Sequence, residues 1–209
     1  MLDSNGQPDP ARLPTSSNPV LAKAGLIRIS EVDRSIVTDL QYKGATTISK
    51  QPLYPQRFPA VLKPETAVRL KRANDLVKAH GMRILVWDAY RPPSAQDQLW
   101  HASGHNDTFV ANPNNAPSQH SCGTAVDVTL VTASGKRVKM PTGFDSFSKE
   151  AASRYPHTDS EVKKNLSILQ TAMRQAGFYP LPAEWWHYID KNYKKYPETI
   201  PLSSLKGSY

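Results

Sequence analysis

The chain has almost no cysteine, since Cys122 is the only one among its 209 residues. A single cysteine excludes an internal disulfide and any zinc site built from several thiolates. A nucleophilic thiolate would also need an activating base beside it and exposure to solvent. The favoured interpretation of Cys122 is therefore a small buried side chain.

Long apolar runs are also missing. No stretch approaches the roughly 18 apolar residues that cross a bilayer, so we expect no membrane span. The first 18 residues lack the basic and apolar regions of a signal peptide. The chain is interpreted either as a cytoplasmic protein or as a processed form. Its polar start resembles a spacer left after processing, which slightly favours the periplasm or cell envelope.

Blocks of like charge are absent as well, although the chain has 26 basic and 18 acidic residues and a net charge of +8. A net positive charge can attract anionic polymers, including nucleic acid, membrane surfaces and cell-wall material. The lysines and arginines are dispersed, however, and no nucleic-acid-binding motif accompanies them. We therefore expect a solvated basic surface and no nucleic-acid partner. No pattern indicates the oligomeric state.

The patterns that are present predict one domain with two prominent helices. Residues 1–24 mix Pro, Ser, Asn and Gly without periodicity and predict a flexible tail, and residues 25–209 form the domain. Apolar residues at helical spacing predict helices at 64–79 and from 160 to 176, with Asp159 or Ser160 as the cap of the second. Ser94 resembles the N-cap of a further helix. Strands are predicted at 83–87, 125–130 and 184–190.

Two distant segments carry residues that together suit a metal site. Zinc binds nitrogen and oxygen ligands, and a catalytic ion keeps one position open for water. His120 and Asp127 are separated by a turn at Gly123, and His187 can complete a three-ligand set from another strand. Glu184 precedes His187 by three residues, so on a regular strand the two would face opposite ways. We therefore predict Glu184 in the turn that enters the strand, next to the metal but not bound to it.

A second histidine pair, His101 and His105, has the i, i+4 spacing of one helix face. It lacks the Glu that follows the first His in zinc-peptidase helices. Gly104 and the polar residues after it also indicate that the helix has already ended. We therefore do not expect this pair to bind a metal.

The combined motifs S-x-H-x-x-G-x-A-x-D and E-x-W-H, at residues 118–127 and 184–187, resemble those of zinc peptidases that cut D-alanyl peptides. The similarity is closest to the D-alanyl-D-alanine dipeptidases of the vancomycin-resistance (VanX-like) type. Residues 39–42, 87–92 and 142–145 extend the resemblance, which covers roughly residues 26–190.

This resemblance implies a fold, an activity and a set of residue roles. The expected fold is a single α+β domain, with a small, mostly antiparallel central sheet, flanking helices and the zinc site in a cleft on the sheet. The expected activity is hydrolysis of the small dipeptide D-Ala-D-Ala with one Zn²⁺ per chain. The implied roles are zinc ligands for His120, Asp127 and His187, general base for Glu184, transition-state stabiliser for Arg91, holders of the substrate's amino end for Asp145 and Tyr42, and site lining for Ser118.

The sequence leaves two other functions open. A D,D-carboxypeptidase or L,D-endopeptidase acting on longer peptidoglycan peptides would share the metal motifs. A non-catalytic cell-wall-binding module could hold a structural zinc. Glu184 disfavours the module, because a structural zinc site has no use for a base beside an open position.

Overall fold

A five-stranded sheet lies at the centre of the structure. The computed structural model describes all residues from 1 to 209. The strands are β1 (Ile27–Arg28), β2 (Val37–Thr38), β3 (Val61–Leu62), β4 (Met82–Asp88), β5 (Ala125–Thr132), β6 (Phe178–Leu181) and β7 (Glu184–Asp190). The central sheet has the order β2-β4-β5-β7-β6, and β1 pairs with β3 separately. Only β2 and β4 run parallel; the other neighbours are antiparallel. The expected α+β class with a mostly antiparallel sheet is confirmed.

Five helices accompany the sheet. They are α1 (Pro19–Lys23), α2 (Ile29–Val32), α3 (Pro64–Lys78), α4 (Pro93–Ala102) and α5 (Ser160–Ala176). The two prominent helices predicted from periodicity are α3 and α5, which pack against each other. Asp159 caps α5, because its side chain accepts hydrogen bonds from the backbone N–H groups of Glu161 and Val162. The prediction of Ser94 as an N-cap is wrong: α4 begins at Pro93, whose fixed φ suits a first helical position.

The segment predicted to be a flexible tail packs on the domain. Helix α1 lies within it, and Leu21 is fully buried in the hydrophobic cluster that also contains Leu205. Farther towards the N-terminus, the amide oxygen of Gln7 accepts a hydrogen bond from Arg69 Nη1 at 2.7 Å. These contacts hold Gln7 and Leu21 against the rest of the protein, and the division at residue 25 stays a prediction. A five-residue helix is too short to show apolar periodicity, so the sequence pattern could not reveal it.

Among these helices, not one combines the length and the apolar character that crossing a bilayer requires.

The sheet register aligns three polar residues across neighbouring strands. Asp88 on β4 pairs with Asp127 on β5, and Asp127 pairs with His187 on β7. A register shift between Val86 and Asp88 precedes the first pair. Side chains at paired positions of antiparallel strands lie about 4.5–5.5 Å apart at Cβ. The sheet therefore places Asp127 and His187 side by side, although 60 positions separate them in the chain.

Glu184 is not in a turn, as the sequence suggests, but is the first residue of β7. Pro180 of β6 pairs with Tyr188 of β7, but the next residue of β6, Leu181, pairs with Glu184. One residue of β6 therefore lies opposite a step of four residues in β7. This irregularity interrupts the two-residue alternation of side chains that the prediction assumed. As a result, Glu184 and His187 approach each other despite their spacing of three, with Oε2 and Nδ1 3.9 Å apart.

Gly177 ends α5 in a left-handed conformation that no other residue can adopt here without cost. Its φ is +95°, and an added Cβ would lie 2.5 Å from Arg69 Nη1. At Gly81, with φ +71°, an added Cβ would meet no atom within 4 Å. We expect Gly81→Ala to lower the free energy of unfolding by about 1–2 kcal/mol through backbone strain alone. Gly177→Ala should cost about 1–3 kcal/mol more because of the added clash.

Urea unfolding of both variants measures this difference. If Gly81→Ala and Gly177→Ala lowered the free energy of unfolding equally, Arg69 would have moved away from the new Cβ without an energetic cost.

Candidate metal centre and catalytic cavity

Three side chains from the two motifs converge on one point. His120 Nε2 lies 3.2 Å from His187 Nδ1, and His187 Nδ1 lies 2.9 Å from Asp127 Oδ1. The remaining pair, His120 Nε2 and Asp127 Oδ2, is separated by 3.4 Å. The three ligand atoms all lie within 4.8 Å of one another. The structure therefore brings together the three residues for which the sequence predicts metal binding.

A tight loop before β5 turns His120 back towards Asp127. The Ser118 carbonyl accepts hydrogen bonds from the N–H groups of Ser121 and Cys122, and the His120 carbonyl accepts one from Gly123 N–H. Gly123 has φ +73°, and an added Cβ would lie 3.0 Å from Leu26 Cδ2. A glycine is needed here for both reasons, because other residues rarely adopt this conformation and the space is already filled.

The other ring nitrogen of His120 is occupied by the backbone. His120 Nδ1 lies 2.6 Å from the Ala89 carbonyl oxygen, which can only accept a hydrogen bond. The proton of the neutral ring therefore belongs on Nδ1, and Nε2 keeps its lone pair towards Asp127 and His187. A hydrogen bond of this kind is the usual way in which a protein orients a metal-binding imidazole.

The donor set fits a divalent cation. His120 and Asp127 are each only 2% exposed. Burial acts to raise the pKa of Asp127, but His120 and His187 outweigh it and hold that pKa well below its usual range. The site thus offers a buried carboxylate and two imidazole nitrogens, which is the ligand chemistry of late first-row metals.

Glu184 lies beside this cluster and is not one of the three ligand residues. It is 5% exposed, and its Oε2 is 3.9 Å from His187 Nδ1. Burial, followed by the negative charges of Asp127 and Asp145, raises the pKa of Glu184 well above its ordinary value. A carboxylate whose pKa is raised accepts a proton more readily, which is the property that a general base needs.

The Arg91 guanidinium is held rigidly in the same region. Its Nε and Nη2 donate to Asp88 Oδ2 at 2.9 and 2.8 Å, and its Nη1 donates to Gln96 Oε1 at 2.8 Å. The ring of Tyr42 lies 5.0 Å from the guanidinium carbon. Nη2 is 3.6 Å from Asp127 Oδ2, so the positive charge lies next to the three potential metal ligands.

Three supporting residues were not predicted from the sequence. Asp88 is fully buried and also accepts a hydrogen bond from the Tyr54 hydroxyl at 2.9 Å. Gln96, 2% exposed, donates to the Ala111 carbonyl at 2.8 Å while it holds Arg91. A sequence signal existed for Asp88 alone, because an acidic residue at the end of a strand stands three positions before an arginine.

Asp145 and Tyr42 form a second polar pair. The Tyr42 hydroxyl donates to Asp145 Oδ1 at 3.0 Å, while Asp145 Oδ2 is buried without a hydrogen-bond partner. Burial raises the pKa of Asp145 to about 7, against the opposing effect of Arg91. Asp145 also has φ +55°, an unusual backbone conformation for a residue with a side chain. Its second carboxyl oxygen is therefore available for a cation or donor that enters from outside the protein.

All eight predicted site residues line a single cavity of about 190 Å³. They are His120, Asp127, His187, Glu184, Arg91, Asp145, Tyr42 and Ser118. The segment after α4 completes one wall, with Phe109 stacked on Phe147 at a ring-centroid distance of 4.4 Å. The cavity therefore combines three potential metal ligands, a separate buried carboxyl, a fixed guanidinium and an unpaired carboxyl oxygen.

This arrangement defines the class of protein. Two imidazoles and one carboxylate, with a second carboxyl beside them in a cavity, are the side-chain chemistry that metal-dependent hydrolases use. The chain belongs to the D-Ala-D-Ala dipeptidase family of peptidases, whose family model matches residues 22–203. The family membership inferred from the two motifs is confirmed, and the protein is a peptidase.

Curated relatives in several bacteria are named D-alanyl-D-alanine dipeptidase. That of Escherichia coli is 27% identical over 172 residues, covering 82% of this chain and 88% of its own. That of Enterococcus faecalis is 30% identical over 152 residues, covering 64% and 74%. Among solved structures, a mutant of the vancomycin-resistance D,D-pentapeptidase VanY in complex with Zn(II) matches with a TM-score of 0.42 and 18% identity. That match covers 72% of this chain and 86% of VanY.

Proposed function

We propose that this protein is a zinc-dependent dipeptidase that hydrolyses D-Ala-D-Ala. Its zinc would be held by His120 Nε2, His187 Nδ1 and the Asp127 carboxylate. The observation that carries this proposal is the placement of Glu184 in the cavity beside the three ligands but outside their cluster. A structural zinc site is closed by a fourth ligand and needs no such group.

The reaction adds water to the peptide carbonyl and transfers a proton to the leaving amine. Zinc bound at this site would act as a Lewis acid and would lower the pKa of its own bound water to about 7. Glu184 takes a proton from the attacking water on its carboxylate and delivers it to the nitrogen of the leaving D-alanine as the C–N bond breaks. Its raised pKa allows it to hold the proton between these two transfers.

Arg91 supports the same reaction electrostatically. As the carbonyl oxygen becomes an oxyanion, a fixed guanidinium can donate hydrogen bonds to it without reorganising. Asp88 and Gln96 together accept hydrogen bonds from all three guanidinium nitrogens and so fix its orientation before substrate binds.

Asp145 and Tyr42 are assigned to the free amino group of the dipeptide. The buried Asp145 Oδ2 has no partner within the protein, and a substrate ammonium would supply one. Ser118 lines the remaining wall. We expect Asp145→Asn to lower kcat/KM for D-Ala-D-Ala about 10- to 100-fold, the value of one charge-assisted hydrogen bond.

With N-acetyl-D-Ala-D-Ala, which has no ammonium group, Asp145→Asn should have the same kcat/KM as the wild type. Asp97→Asn, an exposed change on α4, provides the matched control and should leave both substrates unaffected. Equal losses on free and acetylated dipeptides would show that Asp145 does not hold the amino end.

The proposal as a whole is tested by measuring bound metal together with a panel of dipeptides that varies D and L residues. We expect one zinc per chain at the three-ligand site, loss of turnover after chelation and recovery when zinc is restored. D-Ala-D-Ala should be cleaved faster than its N-acetylated form. Preference for blocked or longer peptides would instead favour the D,D-carboxypeptidase or L,D-endopeptidase. Zinc binding without turnover of any peptide would favour the wall-binding module.

A further inference from the structure

We propose that His101 and His105 form a second, accessory metal site on the protein surface, which binds a late first-row dication such as Zn²⁺, Ni²⁺ or Cu²⁺. The site is distinct from the catalytic cluster and shares no residue with it. It lies at the end of α4, and both histidines are exposed.

The two imidazoles are hydrogen-bonded to each other in this structure, and the distance between their nitrogens is close to that of two ligands on one metal ion. His101 Nδ1 lies 2.9 Å from His105 Nε2. Two nitrogens bound to one zinc at about 2.0–2.1 Å lie roughly 3.3 Å apart when the ligands are tetrahedral, and closer at right angles. Exposed rings can accommodate the remaining few tenths of an ångström by rotating about their side-chain bonds.

The catalytic cluster of the same protein offers an internal comparison. In the pair formed by His120 and His187, the ring centroids are 5.0 Å apart and the rings are inclined by 63°. In the pair formed by His101 and His105, the centroids are also 5.0 Å apart and the inclination is 67°. The surface pair thus matches the two imidazoles of the catalytic cluster in ring distance and inclination.

The backbone after α4 holds His105 in this position. The sequence predicted that an ended helix would separate the two histidines, and α4 does end at Ala102. Gly104 and His105 then both adopt left-handed φ values, +67° and +62°. The His105 N–H donates to the Trp100 carbonyl at 3.1 Å, and its ring packs 5.2 Å from that of Trp100. A left-handed residue other than glycine costs of order 1–2 kcal/mol, and here it returns the second imidazole to the first.

The donor set determines which cations would bind. Imidazole nitrogen suits zinc, copper and nickel, whereas magnesium and calcium require oxygen ligands. No third His, Cys, Asp or Glu joins these two histidines in a cluster. Water would therefore complete the coordination, and the surface site should release its metal before the buried three-ligand site does.

Equilibrium dialysis of the zinc-loaded protein against free Zn²⁺ at neutral pH tests the proposal. We expect the wild type to bind a second equivalent that excess Mg²⁺ does not displace. His101→Ala and His105→Asn should each lose it, and asparagine is chosen because it tolerates a left-handed backbone. His80→Ala, another exposed histidine, is the control and should keep the second equivalent.

A spectroscopic measurement identifies the ligands directly. With Cu²⁺ as the probe, the surface site should show nitrogen coupling in the electron paramagnetic resonance spectrum, and this coupling should weaken in both variants. Circular dichroism melting without added metal confirms that the variants are folded. Saturation of the wild type at one equivalent, or a second equivalent that persists in both variants, would overturn the proposal. His187→Ala should still bind metal at the surface pair, so this test is independent of the catalytic assignment.

Discussion

Glu184→Gln is expected to lower kcat for D-Ala-D-Ala by about 10²- to 10⁴-fold, the usual contribution of a positioned general base. The amide has the same shape as the carboxyl group but cannot take the proton of the attacking water. Because Glu184 lies outside the ligand cluster, bound zinc should remain at the wild-type amount. Alanine release and metal content measured on the same preparation separate these two effects.

Stability should not fall in this variant. Glu184 is buried beside Asp127 and Asp145, so its charge is unfavourable there, and a neutral amide removes the repulsion. Glu161→Gln, an exposed acidic position in the first turn of α5, serves as the control and should leave kcat unchanged. Near-normal turnover by Glu184→Gln would remove Glu184 from the mechanism, and loss of zinc would make it a ligand.

Arg91→Lys is expected to lower kcat by about 10²- to 10³-fold, the effect of removing one well-placed oxyanion donor. Lysine keeps a positive charge near Asp88, but a single ammonium group cannot replace the planar fork that contacts both Asp88 and Gln96. KM should change much less than kcat, because the interaction strengthens as charge develops on the substrate oxygen. Steady-state kinetics on D-Ala-D-Ala measures both parameters.

The control for Arg91 must be another buried arginine. Arg69 is 1% exposed and pairs with Glu65 at 3.0 Å and with Asp190 at 3.1 Å, outside the catalytic cavity. Arg69→Lys should lower the free energy of unfolding while kcat stays near the wild-type value. If Arg91→Lys behaves in the same way, Arg91 stabilises the fold and does not act on the substrate. Arg91→Ala is unsuitable, because it would leave Asp88 buried and unpaired at a cost of about 3–5 kcal/mol.

Helices α3 and α5 could be predicted closely because their local signals agree. Each repeats apolar residues at helical spacing, and each has terminal residues that favour its ends, such as Pro64 at the start of α3 and Gly177 after α5. Where these signals were lacking, prediction was poorer. The start of α4 was misplaced by two residues, because the N-cap is Pro92 and not Ser94, and α1 was missed because five residues cannot show periodicity.

The residues of the candidate site could be named from the sequence because chemistry-bearing side chains stand at fixed spacing in two motifs. The resemblance supplied roles for Arg91, Asp145 and Tyr42, which no spacing relates to the metal residues. The hydrogen bond between Arg91 and Gln96 could not be predicted, because nothing distinguishes Gln96 from other polar residues of a helix. It contacts the guanidinium, at 2.8 Å, only because of where α4 lies in the fold.

The sequence by itself determined which side chains are available, the turn at Gly123 and the strand that carries Asp127, because these depend on residues close together in the chain. Only the tertiary structure decided that Asp127 and His187 become register partners, and that the irregular pairing of β6 and β7 turns Glu184 towards them. The approach of His101 and His105 was likewise decided in three dimensions, by two left-handed residues after α4. Strand register and backbone reversals depend on packing between distant segments, and local sequence patterns do not specify that packing.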